Sequence, residues 1–353
     1  MTPQPHRSVT APIHHHLSSV IWKSALFALA LPSLPRIAPS LFSLKTLNWL
    51  WGSTVLYHVN GILSHKAVNG WKRAVWNPEN EIVVVTGGSS GIGKLVVKGF
   101  LEKGCKVVIL DLTESKDFKA GSFLRVPYLT PCASKLMNAG PNLSFFKADV
   151  TSLKDIKEAA AKIRKEIGEP TVLINNAGIG FGTTILGGNE ETIRKTIDVN
   201  LVAHFWTVRE FLPAMIKQNS GHIVTIASMA SFVTIAQNVD YSCSKVAVLA
   251  FHEGLRQELD HRYNARLVRT SIIHPFWVRT PLVAPLEKLS KDFPKVILNA
   301  QDVADKIVAQ VASGYGGQIV MPRQLAIASL LRGLPTWVQE RVRGNQKSQI
   351  LEG

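Results

Sequence analysis

Acidic residues are missing from the front of the chain. No aspartate or glutamate precedes Glu79, whereas Arg7, Lys23, Arg36, Lys45, Lys66, Lys72 and Arg73 all fall there. The formal net charge of +15 over 353 residues is explained by this asymmetry. The basic residues form no single stripe and no nucleic-acid motif accompanies them, so nucleic acid is excluded as a partner. Cysteine is scarce as well. Cys105, Cys132 and Cys243 are an odd number without metal-type spacing. That excludes a disulfide framework, leaves no metal site to assign, and favours a reducing, cytosol-facing catalytic part. The length suits one large α/β domain with extensions.

The acid-free segment, residues 1–77, holds two apolar stretches, at about 20–34 and 41–63. The first carries Lys23 and is broken by Pro32 and Pro35. A hairpin in one leaflet and a signal peptide both fit it, and a second apolar stretch directly after it disfavours cleavage. The second stretch nearly reaches the roughly 20 apolar residues that a spanning helix needs. Trp49, Trp51 and Tyr57 suit an interfacial belt, and Lys66, Lys72 and Arg73 suit a cytoplasmic flank. The expectation is a membrane anchor with one or two segments; helices packed on a soluble domain are the alternative.

The stretch that organises the remainder is E-I-V-V-V-T-G-G-S-S-G-I-G, Glu81 to Gly93. A β-branched run ends in a glycine-rich turn, and a helical pattern follows from Lys94. A strand, a glycine turn and a helix start let backbone N–H groups approach a pyrophosphate. The spacing T-G-x-x-x-G-x-G differs from G-x-G-x-x-G. A second strand, Lys106 to Asp111, ends in an acid about twenty residues past the glycines, where a carboxylate accepts from ribose hydroxyls and repels a 2′-phosphate. From Leu112 to Pro141 no clear period appears. A short strand, Leu143 to Phe146, then leads to Asp149. Thr151 to Ile167 reads as an amphipathic helix, and Val172 to Ile174 as a strand running into Asn175-Asn176-Ala177-Gly178.

With Asp149, N-N-A-G, Asn200, Ser228 and Tyr241-Ser242-Cys243-Ser244-Lys245 following in order, the chain resembles the classical short-chain dehydrogenase/reductase family over roughly Glu81 to Pro322. Y-x-x-x-K alone would be weak; a serine thirteen residues upstream and N-N-A-G make it strong. The resemblance implies a doubly wound parallel α/β sheet and a catalytic set of Asn200, Ser228, Tyr241 and Lys245. Lys245 is one helical turn from Tyr241, so its charge is expected to lower the tyrosine pKa from near 10. Ser228 is expected to bond the substrate oxygen, and Asn200 to hold a relay water. His222, His252 and His274 read as structural or substrate-side.

The resemblance also implies cofactor contacts. Gly87, Ser89, Ile92 and Gly93 would hold the pyrophosphate, Asp111 and Asn176 the ribose on the adenine side, and Asp149 the adenine. Lys245 would hold the nicotinamide ribose beside Tyr241, with Val278 and Thr280 near the nicotinamide amide. Arg209 is a weaker cofactor assignment. The cofactor is NAD or NADP, with NAD favoured by Asp111. Phe276 stands where the family usually has glycine, which bears on the local backbone.

Ala250 to Leu259 is similar to the membrane-associated branch containing retinol and hydroxysteroid dehydrogenases. Leu325 to Val342 reads as an amphipathic helix that would lie on a bilayer beside the site, or against its own domain or a homodimer partner. The expected organisation is an anchor region over 1–77, a catalytic domain over 78–322 and a C-terminal helix and tail over 323–353. The expected function is hydride transfer between a nicotinamide cofactor and a lipophilic alcohol or carbonyl, at a membrane of the endoplasmic reticulum or a lipid-droplet surface. A ketoreductase of a dedicated lipid or polyketide pathway, and a non-catalytic lipid-surface binding protein, are the alternatives.

Overall fold

The computed structural model describes residues 44–118, 142–285 and 297–345, and the chain divides into two compact units that part between Val75 and Trp76. In the first unit, α1 (Leu44–Asn69) takes in most of the second apolar stretch. Among the described residues no helix is long and apolar enough to cross a membrane. The span expected at 41–63 thus finds no support in α1. Asn48, Ser53, Thr54, His58, Asn60 and Ser64 interrupt the apolar run, and its apolar residues do not gather on one face. The first apolar stretch, at 20–34, lies outside the described residues, as does most of the aperiodic connection before Pro141.

The second unit is built on seven parallel strands in the order β3-β2-β1-β4-β5-β6-β7. They are β1 (Ile82–Thr86), β2 (Lys106–Asp111), β3 (Leu143–Lys147), β4 (Val172–Asn175), β5 (Gly221–Ile226), β6 (Val268–Pro275) and β7 (Gly317–Met321). β1, β4 and β6 are buried along their whole length, the continuous apolar reading expected of parallel strands covered on both faces.

Alternate residues face opposite layers. Val84, Leu173 and Ile223 pack with α3 (Leu153–Glu166), α5 (Ala203–Gln218) and α6 (Val239–His261). Val83, Val85, Ile174 and Val224 pack with α2 (Gly91–Glu102) and α7 (Ala300–Ala312). Ser152 caps α3 by accepting from the Asp155 N–H, which sets that helix start two residues later than the sequence pattern suggests. Between α4 (Glu190–Ile197) and α5 lies one π turn, Asp198–Val202. The chain reverses its direction of winding between β1 and β4, the switch point at which an open sheet of this kind leaves a crevice beyond the strand ends.

After β7 the expected single amphipathic helix is replaced by two pieces. A 3-10 run, Arg323–Gly333, is followed by the short helix α8, Thr336–Gly344. Pro335 supplies the physical reason, since proline lacks the N–H needed to continue a helix and biases Leu334 towards extended backbone.

Candidate active site

The glycine turn is tied to the end of β4 by reciprocal hydrogen bonds. Thr86 Oγ1 accepts from the Asn176 and Ala177 N–H groups, both at 3.0 Å, and Asn176 Nδ2 donates to the carbonyls of Thr86 (3.0 Å) and Gly87 (3.1 Å). Gly87 has φ +63°, and a Cβ there would stand 2.9 Å from Ala177 Cα. Asp111 holds the other side of the turn. Its Oδ2 accepts from the Ser89 N–H at 3.0 Å and its Oδ1 from the Leu112 N–H at 2.7 Å. Asn176 and Asp111, singled out as cofactor contacts, thus first of all shape the loop.

At the start of α2, Ser90 makes no side-chain cap, and Ser90, Gly91 and Ile92 line a cavity of about 690 Å³. Uncapped N–H groups in a first helical turn, with the dipole behind them, form an anion cradle. Asp149 lies further along the same wall and accepts from both the N–H and the hydroxyl of Thr151, at 2.9 and 2.7 Å. Val278 and Thr280 line the same cavity, and a Cβ at Gly91 would stand 3.6 Å from the Thr280 side chain. Ser89 and Gly93 stand behind the lining rather than in it. Arg209 is exposed on α5 and does not line the cavity, which corrects its assignment to the cofactor. Phe276 lines the cavity, and its N–H donates to the Met321 carbonyl at 2.8 Å. Its backbone is not left-handed, so this departure from the family pattern needs no glycine.

Ser228, Tyr241 and Lys245 meet at the same cavity. The Tyr241 hydroxyl is hydrogen-bonded to Ser228. Lys245 Nζ donates to the Ile226 carbonyl at 2.9 Å and lies 5.5 Å from the centre of the Tyr241 ring. Asn200 sits in the π turn, fully buried. Its Oδ1 accepts from the Ile179 N–H at 2.8 Å, and its Nδ2 donates to the Ile179 carbonyl (2.8 Å) and to Ser244 Oγ (3.1 Å). The amide therefore ties the loop after β4 to α6.

Burial pushes the Tyr241 hydroxyl above its usual range, with the Ser228 bond pulling the other way, and burial holds the Lys245 ammonium down at about 8. The Tyr241 shift thus runs against the lowering expected from Lys245: desolvation dominates it, and the opposing pull comes from Ser228. Behind Ser228, His274 is buried with its Nδ1 3.1 Å from the Ser228 carbonyl oxygen, a supporting position consistent with its structural reading. Two features escaped the sequence. The π turn carries no residue signature, and Leu325, Ala328 and Val342 of the C-terminal pieces prove to be cavity wall.

The donor set fits a nicotinamide dinucleotide: uncapped N–H groups for the pyrophosphate, carboxylates at Asp111 and Asp149, and Tyr241 with Lys245 on the lining of the same cavity. Residues 81–290 match the family model described as short chain dehydrogenase. The chain belongs to that family. It is 44% identical over 198 residues to "Dehydrogenase RED2" of Cochliobolus heterostrophus, covering 56% of this chain and 68% of the relative. It is 36% identical over 203 residues to human "Estradiol 17-beta-dehydrogenase 11", covering 58% of this chain and 63% of the relative. The fold is shared with an alcohol dehydrogenase of Thermococcus sibiricus complexed with 5-hydroxy-NADP, at TM-score 0.54 and 20% identity over 68% of this chain and 95% of the other. This short-chain dehydrogenase is accordingly an NAD(P)-dependent dehydrogenase/reductase.

Proposed function

We propose that this enzyme interconverts lipophilic alcohols and their carbonyl counterparts, with NAD preferred, while resting against a membrane or lipid-droplet surface. The observation that carries the reading is the apolar lining of the cavity, to which Val233, Ile235, Trp277, Leu282, Leu325 and Val342 contribute together with Tyr241. A pocket of this volume and lining recovers free energy from an apolar ligand body, while the Ser228–Tyr241 pair fixes the one polar oxygen. Ile327, Leu330, Leu334 and Trp337 add exposed apolar surface on the same C-terminal pieces, with Trp337 72% exposed. Basic Arg332 and Arg341 among them suit anionic headgroups.

In reduction, the Tyr241 hydroxyl gives its proton to the carbonyl oxygen while Ser228 donates a hydrogen bond to it, and Lys245 stabilises the phenolate left behind. Oxidation reverses each transfer. When bound, the nicotinamide supplies or takes the hydride. The name of the steroid-acting relative and the apolar wall support a steroid, retinoid or fatty-chain substrate. Asp111 at the end of β2 supports NAD, because a 2′-phosphate would meet its negative charge.

The test is a kcat/KM panel with the purified full chain, comparing estradiol, retinol and a long-chain secondary alcohol with propan-2-ol, each with NAD and with NADP. A preference of about a hundredfold or more for the lipophilic compounds is expected. Equal efficiency with propan-2-ol would overturn the reading.

A further inference from the structure

At the sheet face that packs with α5 and α6, four buried polar atoms have no protein partner: Asn175 Nδ2, Thr225 Oγ1 and both ring nitrogens of His204. The three residues are 2%, 0% and 2% exposed, and none of them lines the substrate cavity. Their positions are linked. Asn175 and Thr225 are register partners across β4 and β5. They share the sheet face of Leu173 and Ile223, which pack with α5 and α6. Thr207, three residues after His204 on α5, donates its hydroxyl to Asn175 Oδ1 at 2.8 Å. Lys245 Nζ reaches the carbonyl of Ile226, the residue directly after Thr225. The His204 ring in turn feels the Lys245 charge and packs edge-on against Phe251, with centroids 5.8 Å apart.

Buried polar atoms in native proteins are satisfied by protein or by ordered water, and a buried water typically makes about three bonds. The set here supplies a donor at Asn175, a hydroxyl at Thr225 that gives or accepts, and one donor and one acceptor on a neutral imidazole. The neighbouring ammonium disfavours a cation at this spot. Asn200, the residue from which the family resemblance implies a relay water, already has its amide engaged with Ile179 and Ser244. Lys245 has three N–H donors, of which the Ile226 carbonyl takes one.

We propose that His204, Asn175 and Thr225 hold a buried water that solvates the Lys245 ammonium from outside the substrate cavity, which makes His204 a positioning residue for the proton chemistry. The water accepts from Lys245 and from Asn175, and donates to the free nitrogen of His204 and to Thr225. The titratable groups on the packed elements are Lys245, Tyr241 and His252 on α6, His204 on α5, His222 at the start of β5 and His274 on β6; beside the water, β4 and β5 present the neutral Asn175 and Thr225. A catalytic consequence rests on the role given to Lys245 above, whereas the water site itself does not.

The sign follows from solvation. Removing a dipole that stabilises the ammonium lowers the pH at which Lys245 loses its proton. His204→Phe keeps an aromatic ring against Phe251 and deletes both nitrogens. Lysine-labelled full chain, followed by NMR through a pH titration, is expected to show the Lys245 midpoint about one pH unit lower in this variant. His204→Gln, which restores a donor and an acceptor, is expected to return it towards wild type. A crystal structure of the wild-type chain is expected to show a water about 3 Å from a His204 nitrogen and from Asn175 Nδ2. If His204→Phe fails to fold, Thr225→Val carries the same expectation from β5. An unmoved Lys245 midpoint in variants that only lower Tm, or a dry site in the crystal, would overturn the proposal. Because neither readout requires turnover, a wrong substrate assignment leaves both decisive.

Discussion

Lys245 Nζ lies 5.5 Å from the centre of the Tyr241 ring, yet its hydrogen bond goes to the Ile226 carbonyl rather than to the phenol. The lysine is thereby anchored to β5, the strand that also delivers Ser228, so cation, phenol and serine are positioned by one strand end and one helix. An ammonium held this way acts on the phenol through space, and burial strengthens that influence while weakening the hold of each group on its own charge.

Replacing Tyr241 by phenylalanine removes the proton donor and leaves the ring. Turnover is expected to fall by about 10³-fold or more, while cofactor affinity stays within about twofold. Single-turnover kinetics and fluorescence titration separate the two. A variant at wild-type rate would show that the proton comes from elsewhere.

The ammonium also sets a pH limb. Its pKa is lowered from 10.5 to about 8, so the charged form dominates below that pH and is lost as pH rises through it. Carbonyl reduction is therefore expected to decline above about pH 8, and a profile flat to pH 10 would contradict the assignment. In stability the same shift has the opposite sign. The unfolded chain holds the extra proton between about 8 and 10.5, so this residue's contribution to stability rises with pH across that window.

Gly93 lies behind the cavity wall, and a Cβ there would sit 2.2 Å from the Gly87 carbonyl oxygen and 2.5 Å from Asn176 Nδ2. Gly93→Ala is expected to force the glycine turn away from β4. A stability loss of about 1–3 kcal/mol and at least tenfold weaker cofactor binding should follow, measured by thermal unfolding and by titration. Wild-type values in both would mean that the turn is freer than its hydrogen bonds suggest.

Asp111→Ser removes the carboxylate at the end of β2. A like-charge encounter at about 4 Å is worth roughly 1–4 kcal/mol, so the ratio of kcat/KM for NAD over NADP is expected to fall at least tenfold. The Ser89 N–H loses its 3.0 Å acceptor at the same time, so some loss of affinity for both cofactors accompanies the switch. An unchanged ratio would remove Asp111 from cofactor selection.

The reading of the catalytic unit from sequence rests on local signals. Valine-rich runs marked β1 and β2, glycine marked the turn, and the Tyr241–Lys245 spacing marked one face of α6. What stayed hidden depends on long-range packing. The three-dimensional partners of Asn176 and Asp111 are backbone groups far along the chain, invisible to spacing. The C-terminal run shows helical periodicity from Leu325 to Val342, but Pro335 divides it and cavity contacts fix the pieces. In α1 the count of apolar residues suggested a span, and the polar residues distributed around the helix leave it less apolar than a span requires.

The π turn at Asp198–Val202 is a change of phase in a continuous rod. The Ala203 N–H reaches back five residues, to the Asp198 carbonyl, where an α-helix would reach four. One extra residue per turn rotates everything after it by roughly 100° relative to what precedes it. Closing this turn to α geometry at unchanged length would turn His204, Thr207 and Phe211 away from the sheet, whereas loss of one residue together with the bulge would keep their aim. The extra residue therefore aims the helix, and a one-residue insertion in this turn should disturb α5 more than a one-residue loss.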